Sequence, residues 1–213
     1  MNYRQIPNQL TVLRLFLAAV FFLVLNRYRY PVSAEWPLVV ATILFILAAI
    51  TDTLDGYYAR KWQVESTFGR IMDPFCDKVL VIGAFIYLAG PRFVDPEAVE
   101  QGHFFTMISG VYPWMVAVIL ARELLVTGIR GELEGQGVQF GAGPAGKLKM
   151  ILQSVAVPVV LLIVLIDPRG DGWRWLSWVR DAIVYLTVFV TVVSGIPYVF
   201  RAASSMAAAG EEK

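Results

Sequence analysis

The chain has 213 residues, with 18 Lys and Arg against 17 Asp and Glu, and its formal net charge of +1 gives no global field that would draw it to nucleic acid. It is 57% hydrophobic and only 16% charged, where a soluble domain carries about 25% charged residues, so the composition is that of a membrane protein. A single cysteine, Cys76, and a single histidine, His103, exclude an internal disulfide and a Cys/His zinc centre and leave oxygen as the ligand for any metal.

Apolar stretches suited to a hydrocarbon core of about 30 Å recur six times, at roughly 10–25, 36–50, 73–90, 111–128, 148–166 and 179–200. The expected fold is an all-α integral membrane protein, one domain over 1–213, built as a bundle of six transmembrane helices. The first two runs are short and should extend, the first back toward Asn8 and the second through Ala59. The first is read as a retained helix, because no small-residue cleavage pattern follows it and 26–30 is aromatic and basic. Pro158 and Pro197 lie inside apolar runs, where neighbouring helices tolerate them. Sorting Lys and Arg by alternate sides puts twelve on the side of both termini and six on the other, which predicts cytoplasmic N and C termini. Asp95, Glu97, Glu100 and His103 then fall in an outward loop, read as a solvated connector, and 201–213 is read as a flexible cytoplasmic tail.

Four aspartates bracket the second and third helices: Asp52, Asp55, Asp73 and Asp77. Residues three or four apart share a helix face, with Cβ atoms about 5–6 Å apart, so Asp52 pairs with Asp55 and Asp73 with Asp77. If the two helices pack antiparallel, the four carboxylates converge at one edge of the bundle, where they repel one another unless positive charge sits among them. Divalent metal is the obvious counter-charge, and an all-oxygen set suits Mg²⁺ or Mn²⁺. Four carboxylates can hold two such ions about 3.5–4 Å apart, the arrangement used for displacement at phosphorus. The plainer reading makes Asp73 an N-cap ahead of Pro74 and pairs Asp77 with Lys78 or Arg70.

Read as a string, Asp52 is followed after two residues by Asp55-Gly56, after two more by Ala59-Arg60, after eight by Gly69, after three by Asp73 and after three by Asp77. This resembles the complete motif of the CDP-alcohol phosphotransferases, membrane enzymes that join a CDP-activated group to an alcohol and release CMP. The resemblance implies that Asp52, Asp55, Asp73 and Asp77 bind two divalent cations, with Asp77 also the general base for the acceptor hydroxyl. It implies CDP-binding roles for Gly56, Ala59 and Gly69, which leave room for the cytidine, and for Arg60 at the pyrophosphate, a contact to which a planar guanidinium is suited. Thr53 is a further candidate for the nucleotide pocket, or a hydroxyl bonded to its own helix.

Outside the motif, Ala121-Arg122-Glu123 lies in the fourth apolar run, Arg130 follows about two turns later, and Lys147 and Lys149 open the fifth. Arg122, Arg130, Lys147 and Lys149 make a candidate pocket for the phosphate of the acceptor, although Lys149 and Arg130 also suit snorkelling anchors. These residues, with Gln153 and the start Ile6-Pro7-Asn8, Leu10-Thr11 and Arg14, are similar to family members that use glycerol 3-phosphate; one departure is Gly131, where that subgroup carries an acid. The resemblance therefore implies transfer of phosphatidyl from CDP-diacylglycerol to glycerol 3-phosphate, in a homodimer among membrane lipids of the bacterial inner (cytoplasmic) membrane, with the active site facing the cytoplasm. Serine, inositol phosphate and phosphatidylglycerol are the alternative acceptors, and a divalent cation transporter is the rival outside the class. The stretch 141–147 spells the start of a P-loop, but Leu148 stands at its Ser/Thr position and no strand precedes it. Cys76 is read as a packing residue.

Overall fold

The computed structural model describes residues 6–62, 67–135 and 144–211. Among these the fold is all helical: α1 (Ile6–Leu25), α2 (Trp36–Trp62), α3 (Thr67–Leu88), a 3₁₀ turn (Pro91–Phe93), α4 (Pro96–Glu100), α5 (Pro113–Gly135), α6 (Pro144–Ile166) and α7 (Arg174–Glu211). Six are long, and they coincide with the six apolar runs. Three contain stretches long and apolar enough to cross a membrane, at Trp36–Leu54, Ala145–Ile166 and Arg174–Phe200, and α1 carries a shorter apolar stretch at Gln9–Leu25. Phe16, Leu23, Phe189 and Phe200 are exposed on their outer faces, as a lipid-facing surface requires.

The helices outrun their apolar windows at the polar end. Instead of stopping near Ala59, α2 continues to Trp62, and α3 begins at Thr67, six residues before Asp73. Asp73 therefore lies inside α3 and does not cap it. Hydropathy registers only where the chain enters lipid, whereas i to i−4 hydrogen bonding continues beyond that boundary. The last helix likewise runs through 201–211, where alanine, the strongest helix former, predominates.

Packing contacts link α1 to α2 and α3, α6 to α2 and α7, and α5 to α7 and α3, so the six long helices close a ring in the order α1, α2, α6, α7, α5, α3. The ring centre is filled by Phe21, Phe45 and Phe85, with Ala41, Ala48 and Ala84 where the backbones approach. Gly83 marks one close approach: a Cβ there would lie 2.4 Å from Cζ of Phe22, whose ring stacks on Tyr87 at 5.3 Å.

At the end opposite the aspartates the loops are tied together. Arg92 donates to the carbonyl of Tyr28, Arg180 donates to that of Ile108 at 2.7 Å, and Arg169 pairs with Asp95 and Glu97. Asp95 accepts from the backbone N–H of Glu97 and caps α4, with Pro96 in the first turn. Gly110 has φ of +67°, and a Cβ there would lie 2.6 Å from Oδ1 of Asp181, so this turn requires glycine. Trp36, Trp114, Trp173, Trp175 and Trp178, all exposed, surround this end at the starts of α2, α5 and α7. Exposed tryptophans at helix starts are the residues that favour a membrane–water interface. Asp52 lies sixteen residues along α2 from Trp36, about 24 Å at 1.5 Å per residue, close to the far side of a hydrocarbon core of about 30 Å.

Candidate active site

A cavity of about 380 Å³ opens at the aspartate end of the ring. Asp52 from α2 and Asp77 from α3 supply carboxylates, and Arg122 and Arg130 from α5 with Lys149 from α6 supply cations. Lys78 of α3 and Glu123 of α5 also line it, with the uncharged polar groups Thr127, Gln153, Ser154 and Tyr198. The charged groups thus come from four helices, so they are positioned by the bundle and not by one local segment.

Asp52 is held from behind by Arg14, whose Nη1 lies 2.6 Å from Oδ1. The arginine side chain is only 2% exposed while the carboxylate is 40% exposed, so Asp52 is oriented by a buried cation and still presents a face to a ligand. Asp77 is half-buried. Its neighbour Lys78 does not turn to it in a salt bridge; the ammonium donates to Oγ1 of Thr127 at 2.6 Å, and that hydroxyl donates to the carbonyl of Glu123.

Glu123 is the centre of the basic wall. Its Oε1 accepts from Nη1 of Arg122 at 2.9 Å and from Nζ of Lys149 at 2.5 Å, and Glu123 and Lys149 are both buried. Two cations sharing one carboxylate leave an excess of positive charge facing the cavity. Arg122 also lies 5.9 Å from the centre of the Tyr198 ring and makes a long hydrogen bond, 3.4 Å, to the carbonyl of Ser194. Gly195 permits this approach, since a Cβ there would stand 3.3 Å from Cγ of Arg122. Behind it Gln153 donates to Thr191, and Thr191 and Ser194 donate to carbonyls of their own helix, which satisfies buried hydroxyls without a charge.

Of the residues singled out in the sequence, the cavity gathers Asp52, Asp77, Arg122, Arg130 and Lys149. Lys147 is exposed and outside the lining; two residues from Lys149 it is about 200° around the helix, so both cannot face one cavity. Thr53 donates to the carbonyl of Ala49 and lines a groove between α2 and α6. Gly56 is half-buried in α2. Asp55, Ala59, Arg60, Gly69 and Asp73 have their backbone in α2 and α3, and their side chains or surroundings lie outside the described residues. An acid at Gly131 would have open space, with nothing within 4 Å of a Cβ. Cys76 is buried, while His103 is exposed in the opposite loop. Arg14, Lys78, Thr127, Gln153 and Tyr198 were not singled out for the cavity or its support. The available signals were an arginine inside the apolar α1, which marks function by default, and Gln153 inside the apolar α6.

The donor set fits a divalent cation. The two described carboxylates line one cavity, α2 carries Asp55 three residues from Asp52, and α3 carries Asp73 four residues from Asp77. Among the described residues no three acidic, Cys or His groups gather at one place, two of the four aspartate side chains being outside them. Oxygen ligands of this kind select hard ions such as Mg²⁺ or Mn²⁺.

A cavity that brings carboxylates and cations together at the end of an apolar helical bundle suits a membrane enzyme that handles phosphorylated groups. A model of the CDP-alcohol phosphatidyltransferase family matches residues 4–193, and the chain belongs to that family. It is 35% identical over 201 residues to the CDP-diacylglycerol--glycerol-3-phosphate 3-phosphatidyltransferase of Bacillus subtilis (strain 168), covering 91% of this chain and 92% of the relative. A protein of the same name from Rickettsia bellii is 32% identical over 193 residues, with 91% and 92% covered. One from Cereibacter sphaeroides is 38% identical over 165 residues, with 76% and 65% covered.

Proposed function

We propose that the protein transfers the phosphatidyl group of CDP-diacylglycerol to glycerol 3-phosphate, giving phosphatidylglycerol phosphate and CMP. The observation that carries this reading is the facing of Asp52 and Asp77 by Arg122, Arg130 and Lys149 across one cavity. A neutral alcohol would leave the cationic wall without an anion. Glycerol 3-phosphate brings one, and a guanidinium grips phosphate bidentately.

Asp77 accepts the proton of the acceptor hydroxyl as its oxygen attacks the β-phosphorus. The bond from that phosphorus to the bridging oxygen breaks, and CMP departs with that oxygen. Arg122, Arg130 and Lys149 fix the acceptor phosphate, so the hydroxyl is presented to the reacting phosphorus and not merely bound. Arg14 orients Asp52, and Gly56, Ala59, Arg60 and Gly69 hold the cytidine diphosphate. Two divalent cations held by Asp52, Asp55, Asp73 and Asp77 would supply charge neutralisation at the pyrophosphate and on the leaving CMP.

The six long helices cross the bacterial inner membrane with both termini and the cavity at the cytoplasmic side. The twelve-to-six distribution of Lys and Arg and the ring of tryptophans at the opposite end support that orientation. The diacyl tails then stay in the bilayer while the soluble acceptor arrives from the cytoplasm. The protein works as a homodimer.

CMP release by the purified protein, measured with and without Mg²⁺ and with glycerol 3-phosphate, serine, inositol phosphate or phosphatidylglycerol, tests the reaction. Release that requires both Mg²⁺ and glycerol 3-phosphate is expected; release with serine, inositol phosphate or phosphatidylglycerol in place of glycerol 3-phosphate would overturn the acceptor assignment. Arg130→Ala is expected to raise KM for glycerol 3-phosphate at least about tenfold, the usual cost of a charge-assisted contact, with KM for CDP-diacylglycerol within about twofold. Equal shifts in the two constants would remove Arg130 from the acceptor pocket.

A further inference from the structure

We infer that the end of the bundle opposite the aspartates holds a second ligand site, which takes the phosphodiester and protonated amine of a zwitterionic aminophospholipid. A pocket of about 230 Å³ lies there, walled by residues of the 95–112 connector, by Pro168 and Arg169, and by the first turns of α7. Arg169 and Arg180 line it together with Asp95 and Asp181, so its two cations and two carboxylates balance. The transfer reaction proposed above uses none of these residues.

The pocket offers polar groups that its own residues leave unused. Arg180 donates from Nε to Oδ1 of Asp181 at 2.8 Å and from Nη1 to the carbonyl of Ile108 at 2.7 Å, which leaves the N–H groups of Nη2 for a ligand. A guanidinium fixed in this way is suited to a phosphate oxygen. The carboxylate of Asp181, 46% exposed, can accept from an ammonium. Ser177 lies one turn earlier on the same face of α7; it lines the pocket, and its Oγ is buried with no hydrogen-bond partner among the described residues. A buried hydroxyl in that state is destabilising until a ligand takes up its bond. Gly110 shapes the opposite wall: a Cβ there would lie 2.6 Å from Oδ1 of Asp181 and 2.9 Å from Nε of Arg180, so the ion pair reaches the connector only because this residue is glycine.

Depth selects a lipid over a soluble phosphodiester. The α7 wall of the pocket runs from Ser177 to Tyr185, eight residues or about 12 Å, inside the apolar stretch Arg174–Phe200. Its charged groups lie toward the loops, and its inner end is aromatic: Tyr185 is exposed and lies 6.5 Å from the ring of Trp114. On the connector side Phe105 is also exposed, with its ring 6.1 Å from that of Tyr112. Rings of this kind suit the headgroup level of a bilayer, and they line a way from the polar pocket into hydrocarbon. A soluble ligand would gain nothing from that inner end. Charge balance then selects the headgroup. An anionic lipid would answer the arginines and leave the carboxylates opposed to its own charge, while a quaternary ammonium has no N–H to give them.

Native mass spectrometry of the purified full chain in detergent tests the site, with phosphatidylethanolamine, phosphatidylglycerol, phosphatidylcholine and free glycerophosphoethanolamine as probes. One equivalent of phosphatidylethanolamine is expected to be retained at least about fivefold more tightly than either other lipid, the scale of one hydrogen bond, and the free headgroup is not retained. Asp181→Asn keeps the size of the side chain and removes its charge, so phosphatidylglycerol should draw level with phosphatidylethanolamine. Ser177→Ala is expected to weaken retention of phosphatidylethanolamine by about fivefold. It should melt no lower than the parent, because the deleted hydroxyl has no partner to lose, and this separates lost binding from lost folding. Equal retention of the three lipids by the parent protein, or a preference that survives both substitutions, would overturn the site. Retention of glycerophosphoethanolamine as tight as that of the whole lipid would overturn the lipid assignment.

Discussion

Asp77→Asn is expected to reduce the turnover number for CMP release by at least about three orders of magnitude. Asparagine keeps the size of the side chain, so packing within α3 is preserved, yet it can neither accept the acceptor proton nor contribute charge to a divalent cation. A positioned general base is worth about 10²–10⁴ in rate, and loss of a metal carboxylate adds to that. Because the acceptor phosphate is assigned to α5 and α6, KM for glycerol 3-phosphate should move by less than about threefold while kcat collapses. That split separates a chemical role from a structural one, and thermal stability in detergent checks that the variant is folded. Near-normal kcat in a stable variant would remove Asp77 from the base position.

The bundle was legible in the sequence because six apolar runs require six long helices, and lipid leaves an isolated segment few other ways to satisfy its backbone. Helix ends were less legible where the chain leaves the apolar region: α2 was expected through Ala59 and reaches Trp62, while 67–72 looks polar by hydropathy and opens α3. The small α4 was written plainly in Asp95-Pro96-Glu97, an N-cap with proline in the first turn, and was passed over because it lies in a charged connector. Asp52 and Asp77 could be found from helical spacing. Lys78 and Thr127 could not, because their bond joins α3 to α5 across 49 residues of sequence. Lys147 illustrates the converse: it is basic and close to Lys149 in sequence, but the 100° per residue turn of α6 sends it to the other side.

Glu123→Ala separates the structural from the acceptor-binding work of the basic wall. The carboxylate is buried between Arg122 at 2.9 Å and Lys149 at 2.5 Å, so its removal leaves two neighbouring cations with little water. Breaking a buried pair by deleting one partner costs about 3–5 kcal/mol, which for a chain of this size corresponds to a fall in melting temperature on the order of 10 °C. Glycerol 3-phosphate should then stabilise the variant more than the parent protein, because its phosphate takes the place of the missing carboxylate. Adding Lys149→Met to Glu123→Ala removes one of the stranded cations and is expected to recover most of the lost stability, yet CMP release stays low because the acceptor has lost a ligand. A single variant with an unchanged melting temperature would mean that Glu123 does not hold this wall. A double variant that regained turnover along with stability would show that Lys149 serves the fold and leaves phosphate binding to the two arginines.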